Sequence, residues 1–193
     1  MQVTPLNDQQ LISNYLEGDE RAFEELLNRH KQKIYTSIYL FVKDQSLAED
    51  IFQEVFIKII DTLRKGKYNH EGKFLQWAMR ISYNMCVDYF RRSKRRPKVS
   101  PTETFDIFDV LQSPEKNAEQ NIIRSQTHDK VRALVDQLPP EQREVVILRH
   151  YADMSFKEIA KLTRVSINTA LGRMRYALIN IRKMVEEREV VLQ

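Results

Sequence analysis

The sequence predicts an all-α protein: two small helical domains joined by a flexible acidic linker, the second carrying a helix-turn-helix. Three observations lead there. Only 4 glycines and 6 prolines punctuate the 193 residues. Apolar residues recur three and four apart over long stretches. Helix-capping signals stand at the starts of those stretches. A hydrophobic content of 42% suffices to fill two small cores.

The first domain is expected over residues 1–97. Asn7 with Gln10 three residues on caps a short helix through Leu11, Ile12 and Leu16 that ends at Gly18. A longer helix follows, with Phe23, Leu26, Leu27, Ile34, Ile38 and Phe41 at helical spacing to about Val42. Asp44-Gln45 breaks the pattern. Ser46 and Glu49 have capping-box spacing and open a helix through Ile51, Phe52, Val55, Phe56, Ile59, Ile60 and Leu63. Lys65 to Lys73 reads as a polar loop holding Gly66 and Gly72 around Lys67, Tyr68, Asn69 and His70. The next helix runs from about Phe74 to Arg95 on Phe74, Trp77, Ala78, Ile81, Met85, Val87 and Phe90, and Pro97 stops it.

Residues 98–113 read as the linker, with Ser100, Pro101, Thr102, Thr104 and Ser113 among scattered apolar and acidic residues. The second domain is expected over 114–193. Ser113-Pro114-Glu115 restarts a helix that runs to about Leu138. Pro139-Pro140 ends it, and Pro140 suits the first turn of a helix carrying Val145, Val146 and Leu148. Ser155 and Glu158 form a capping box for a short helix, Phe156 to Thr163. Ser166 then caps a last helix whose apolar face is Ile167, Ala170, Met174, Ala177, Leu178 and Ile181. Two helices split by a three-residue turn make the helix-turn-helix. On the last helix Asn168, Thr169, Gly172, Arg175 and Tyr176 point away from the apolar stripe, with Arg173 on its flank. Such a face suits base edges in a major groove; it also suits the exposed side of an ordinary three-helix packing.

Charge and special residues narrow the function classes. The net charge of +4 and pI near 9.1 are compatible with nucleic acid without requiring it. Basic ends flank an acidic middle. Arg91, Arg92, Lys94, Arg95 and Arg96 crowd a helix end, where they either favour the negative dipole end and stay solvated or grip phosphates beside Trp77 and the polar loop. The single Cys86 excludes an internal disulfide framework and a thiolate zinc site, and its apolar neighbours suggest burial. Ile51 to Ile60 is interrupted by Gln53, Glu54 and Lys58 and cannot span a bilayer. Met1 to Asp19 has no leader pattern, so a cytoplasmic protein is expected, without membrane insertion. Glu49, Asp50 and Glu54 lack a further ligand at metal spacing, and His30, His70, His128 and His150 are isolated. No nucleophile elbow or phosphate loop occurs. The expectation is no enzyme, no metal and no cofactor.

Three motifs in order carry a resemblance: Asp50-Ile-Phe-Gln53-Glu54-Val-Phe56; then Phe74-x-x-Trp77-x-x-Arg80-Ile81-x-x-Asn84-x-x-x-Asp88-x-x-Arg91-Arg92; then Leu138-Pro-Pro-Glu141-x-Arg143 with the helix-turn-helix. Together they resemble a bacterial RNA polymerase sigma factor of the extracytoplasmic-function group of the sigma-70 superfamily. The resemblance implies region 2 in the first domain, region 4 in the second, and promoter-specific transcription initiation. It implies that Asp50, Gln53, Glu54 and Phe56 dock on core RNA polymerase. It implies that Tyr68, Asn69, His70 and Asn84, beside Trp77, hold a base flipped from the melted downstream promoter element. Arg80, Arg91, Arg92, Arg95 and Arg96 would hold phosphates, and the acidic linker would thread the polymerase cleft. Upstream promoter duplex would fall to the helix bearing Asn168, Thr169, Gly172, Arg173, Arg175 and Tyr176. An anti-sigma factor is a further partner the family allows.

Two departures from the family pattern bear on this. Arg164 stands where relatives have a glycine, in a turn that needs positive φ. Leu171 and Gly172 stand where relatives are often basic and serine-like, which throws direct reading onto Asn168, Arg173, Arg175 and Tyr176. The alternatives are a stand-alone helix-turn-helix regulator, which gives Asp50 to Phe56 no role, and a DNA-processing enzyme, for which no nucleophile is in place.

Overall fold

The computed structural model describes residues 5–69, 72–93, 131 and 133–187. The described residues form seven helices and no strand: α1 (Asp8–Leu16), α2 (Glu20–Val42), α3 (Gln45–Arg64), α4 (Phe74–Ser93), α5 (Pro140–His150), α6 (Phe156–Thr163) and α7 (Ile167–Glu187). A helical turn at 133–136 precedes α5. The helices fall into two compact units, α1–α4 and α5–α7. The linker at 98–113, the domain boundaries on either side of it and the helix expected from 114 up to residue 130 lie outside the described residues. No described helix is long and apolar enough to cross a membrane.

Local chemistry sets the helix ends of the first unit. Asn7 and Gln10 form the expected capping box, each side chain accepting from the other's backbone N–H at 2.9 Å. Gly18, at φ 108°, then turns the chain into Asp19, which caps α2. The start of α3 corrects the sequence reading. Asp44, not Ser46, is the cap: its carboxylate accepts from Leu47 N–H at 2.9 Å, and Ser46 lies inside the first turn. The reason is geometric and electrostatic. Lys43 takes a left-handed conformation (φ 55°) that aims the extended Asp44 at the helix mouth, and a full negative charge suits the positive end of the dipole.

α2 is the central element, packed on α1, α3 and α4, with α3 and α4 also in contact. Leu26, Ile34, Ile38 and Leu40 of α2 are fully buried with Leu11, Val55, Ile59 and Ala78 from its neighbours. α1 is pinned to α2 through Asp8. One carboxylate oxygen accepts from Arg29 Nη1 at 2.7 Å and the other lies 2.7 Å from His30 Nε2. Arg29 Nη2 also donates to the Leu6 carbonyl at 2.8 Å. Cys86 is buried as expected, and desolvation pushes its thiol up to about 12, against an opposing backbone hydrogen bond.

In the second unit α5 and α6 pack on α7, around Val135, Leu138, Val146 and Ala177. Pro140 opens α5, and Ser155 with Glu158 forms the capping box of α6. Arg164 ends α6 at φ 59°, and Val165 N–H closes the turn onto the Ala160 carbonyl at 3.0 Å. The apolar face of α7 is narrower than the sequence suggests. Ile167 and Leu178 are exposed, because the side packed on its neighbours is Ala170, Met174, Ala177 and Ile181, alternately four and three apart. Phe90 is likewise exposed rather than core, since it lies beyond Cys86, the last buried residue of α4.

Which residue caps α3 is measurable in urea through Trp77, the only tryptophan and a reporter of the first unit alone. Asp44→Ala is expected to lower that unit's stability by about 1 kcal/mol. Ser46→Ala is expected to leave it within about 0.5 kcal/mol; the reverse order would return the cap to Ser46.

Candidate nucleic-acid interface

The first surface is built on the start of α4. Phe74 is buried and holds three aromatic rings: His30 at 5.4 Å from α2, Trp77 at 5.8 Å and Tyr68 at 6.3 Å, centroid to centroid. Tyr68 and Trp77 lie against each other at 4.5 Å, both half-buried, so the loop after α3 and the first turn of α4 present one aromatic wall. Asn69 is exposed beside it; His70 lies outside the described residues. From Trp77 the helix repeats through Arg80, Asn84, Asp88 and Arg91, spaced three and four apart on one face. Arg80, Asn84, Arg91 and Arg92 are all exposed. Asn84 stands two turns from Trp77, roughly 10 Å along the axis, and so continues the face without closing the aromatic wall. Arg91 lies 3.1 Å from Asp88, an exposed pair that solvent and salt keep weak. Arg95 and Arg96 lie outside the described residues. At the end of this helix Tyr89 and Phe90 form an exposed edge-to-face pair at 5.9 Å. Periodicity hides that pair, because both sit at core phase on a helix that outruns the core.

The second surface is α3. Its buried side is Ile51, Val55, Phe56, Ile59 and Leu63, and its outer side shows Asp50, Gln53, Glu54, Ile57 and Asp61. Phe56, which the resemblance makes a docking residue, belongs to the buried side. It is 9% exposed and packed on Phe52 with ring centroids 4.7 Å apart, so it shapes the helix from within. Ile57, the next residue, is 63% exposed and stands amid the carboxylates. Sequence reasoning gave it no role: it falls off the apolar stripe of this helix, and a single isoleucine outside the stripe is not a docking signal by itself. Neither Asp50 nor Glu54 has an ion-pair partner among the described residues. No three His, Cys, Asp or Glu side chains gather as a metal site among the described residues.

The third surface is the outer face of α7. Ser166 accepts from Thr169 N–H at 3.0 Å and shares a 2.8 Å hydroxyl contact with Thr169 Oγ1, which commits that hydroxyl to the cap. Arg173 reaches Glu144 of α5 at 3.5 Å, both partly buried, and Asn180 donates to Gln142 at 2.8 Å. These two contacts staple α7 to α5. Of the six residues expected to face DNA, Asn168, Thr169, Arg175 and Tyr176 stand exposed, Thr169 with its hydroxyl engaged by the Ser166 cap, while Gly172 and Arg173 are partly buried and Arg173 reaches across to Glu144. Gly172 has ordinary helical φ, and a Cβ there would meet nothing within 4 Å. The fold itself has no use for a glycine at that position.

Comparison with known proteins agrees with this arrangement of two units. The family described as Sigma-70 region 2 matches residues 26–96, and Sigma-70, region 4 matches residues 128–175. The RNA polymerase sigma-H factor of Pseudomonas aeruginosa is 30% identical over 177 residues, covering 89% of this chain and 90% of that protein. The ECF RNA polymerase sigma factor SigW of Bacillus subtilis is 24% identical, covering 91% and 95%. Two solved structures share the fold. The sigma factor RpoE of Bartonella quintana, in complex with the anti-sigma factor NepR, has a TM-score of 0.61 at 15% identity over 85% of this chain and 96% of its own. CnrH, in complex with the cytosolic domain of CnrY, has a TM-score of 0.59 at 21% identity over 93% and 97%.

Gly172→Ala separates fold from function at α7. It is expected to raise the stability of the second unit by about 0.5–1 kcal/mol, because alanine loses less backbone entropy in a helix. The check is the far-UV circular dichroism transition that Trp77 fluorescence does not follow. A loss of stability would mean that the glycine serves the fold.

Proposed function

The chain belongs to the extracytoplasmic-function group of the sigma-70 family, the RNA polymerase sigma factors, and from that premise we propose how it divides promoter recognition between its two units. Residues 1–97 bind core RNA polymerase and read and melt the downstream promoter element; residues 98–113 form the linker; residues 114–193 read the upstream element as duplex. The observation that carries this is the pairing of surfaces with family regions. The aromatic wall and cationic stripe of α4 lie in the stretch similar to region 2, and the N-terminal part of α7, with Asn168 and Arg175 exposed, lies in the stretch similar to region 4. A stand-alone regulator would leave the acidic outer face of α3 without a task.

Each surface supplies a different chemistry. An unpaired base needs an apolar wall and hydrogen-bonding groups. Tyr68 and Trp77 give the wall, and Asn69 and Asn84 give amides; His70 belongs to the same proposal. Arg80, Arg91, Arg92, Arg95 and Arg96 neutralise phosphates, which sets position and salt dependence but carries no sequence. On α7, Asn168 suits adenine and Arg175 suits guanine in the major groove, with Tyr176 beside them and Gly172 letting the backbone come close. The outer face of α3 presents Asp50, Gln53 and Glu54 around Ile57, a charged rim about an apolar anchor, which is how docking surfaces gain both steering and affinity. The chain itself performs no bond-making chemistry and works in the cytoplasm, where polymerase and DNA are. By analogy with the Bartonella quintana complex, an anti-sigma factor is a further proposed partner.

Docking is tested by co-purification with core polymerase. The double reversal Asp50→Lys with Glu54→Lys, and separately Ile57→Asp, are expected to weaken binding tenfold or more with the folded state retained; unchanged binding would remove α3 from the interface. Promoter reading is tested by run-off transcription with holoenzyme on a library mutated in each element. Asn84→Ala is expected to change preference at the downstream element only, and Arg175→Ala at the upstream element only, each by about 1–3 kcal/mol at one position. Arg91→Ala or Arg92→Ala is expected to weaken all promoters alike and to lower the salt slope by about one. Crossed effects of Asn84 and Arg175 would overturn the division of labour.

A further inference from the structure

On α7 one exposed residue has no hydrogen-bonding chemistry. Leu171 is 43% exposed in the second turn, three residues after Asn168 and four before Arg175, so it shares their outward side. Ile167, one turn earlier, is 45% exposed. Neither belongs to the buried stripe of Ala170, Met174, Ala177 and Ile181, so the core does not account for them.

A lone exposed leucine is ordinary on a protein surface; its surroundings are what matter. Leu171 adjoins Gly172, where the helix surface is bare of any side chain, and the helix-turn-helix that carries it also exposes the cations Lys157 and Lys161 of α6, Arg164 of the turn and Arg175 of α7 itself. Cations suit an anionic partner and disfavour an apolar protein surface as the occupant. A major groove offers one apolar feature, the C5-methyl group of thymine. Against cytosine or adenine the same leucine would bury an exocyclic amine without a partner, which penalises those bases.

We infer that Leu171, supported by Ile167, reads a thymine methyl group in the upstream promoter element. This rests on the reading of α7 as the upstream-element reader and adds a specificity contact to it. Hydrogen-bonding side chains on this face discriminate by donors and acceptors, whereas Leu171 discriminates by a methyl group and by exclusion of amines. Leu178 and Ile179, also exposed, lie about 10 Å further along the axis and take no part.

The test uses the full chain with core polymerase on promoters selected by run-off from a randomised library. Each upstream thymine is replaced singly by deoxyuridine, which keeps the pairing and every groove acceptor and lacks only the methyl. At one position the substitution is expected to lower run-off about three- to tenfold with the native chain and to have no effect with Leu171→Ala. Leu171→Ala on the thymine promoter should fall to the deoxyuridine level, while Arg175→Ala should keep the deoxyuridine effect. Deoxyuridine that is neutral everywhere, an equal loss with both chains, or a selected element without thymine would overturn the inference while leaving the promoter-reading role in place. If scrambling the whole upstream element leaves run-off unchanged, the reading of α7 itself fails.

Discussion

The contact on which the first unit depends is the burial of Phe74 at the start of α4. A helix beginning with a fully buried aromatic cannot shift along its axis without opening a cavity, and large aromatic truncations cost about 3–5 kcal/mol. Phe74 therefore fixes where α4 starts, and with it the height of every residue on the reading face. It also links inside to outside. One side of its ring meets His30, which Asp8 and Arg29 tie to α1; another meets Trp77 and Tyr68 at the surface. The aromatic wall is thereby packed onto the core beneath it, so its rings are held in place before any partner arrives, which lowers the ordering cost of whatever binds there.

The second unit solves the same problem with smaller parts. α7 packs through Ala170 and Ala177, whose short side chains let α5 and α6 come close, and two polar staples at its flank prevent rotation about its axis. Rotation by one residue would swing the outward face through about 100°. Arg173 thus acts on the outer face at a distance, by tying α7 to α5 and so helping to set the angle at which Asn168, Leu171 and Arg175 stand out. Arg164 shows the cost accepted for the turn. A left-handed arginine is strained by roughly 1 kcal/mol relative to glycine, yet it adds a cation at the end of α6 on the side where the helices meet solvent.

The sequence read well wherever a local rule decides the outcome. Three starts were legible from short-range chemistry: the Asn7 and Ser155 capping boxes and Pro140 in the first turn of α5. The left-handed Arg164 was legible through the resemblance alone, which places it where relatives have a glycine. Several of the failures share one cause, which is competition that a pattern does not display. Ser46 has capping-box spacing, but Asp44 reaches the same helix mouth first and carries charge. Phe56 lies on the apolar stripe of α3 and Ile57 off it, as periodicity has them, yet the resemblance gave the docking role to Phe56 and none to its exposed neighbour. Ile167, Leu178 and Phe90 have core phase, but phase states direction and says nothing of whether a neighbour extends that far. Arg173 lies near the surface, but a contact with Glu144 of α5, which no local pattern displays, engages its guanidinium, while the Ser166 cap engages the Thr169 hydroxyl locally.

The distribution of charge follows from the same geometry. Each helix spends one face on the core, so opposite tasks must be given to different helices. α3 turns Glu49, Asp50, Glu54 and Asp61 outward against Lys58 and Arg64, whereas α4 turns Arg80, Arg91 and Arg92 outward against Asp88, and the whole chain's net charge of +4 displays neither balance. Screening falls off over about 8 Å at physiological salt, which is less than the width of one helix with its side chains. The acids of α3 and the cations of α4 therefore act on their own partners as nearly independent fields, although they belong to one small bundle. A mildly basic chain can in this way present one surface on which acids prevail and one on which cations prevail, and its overall charge is a poor guide to either.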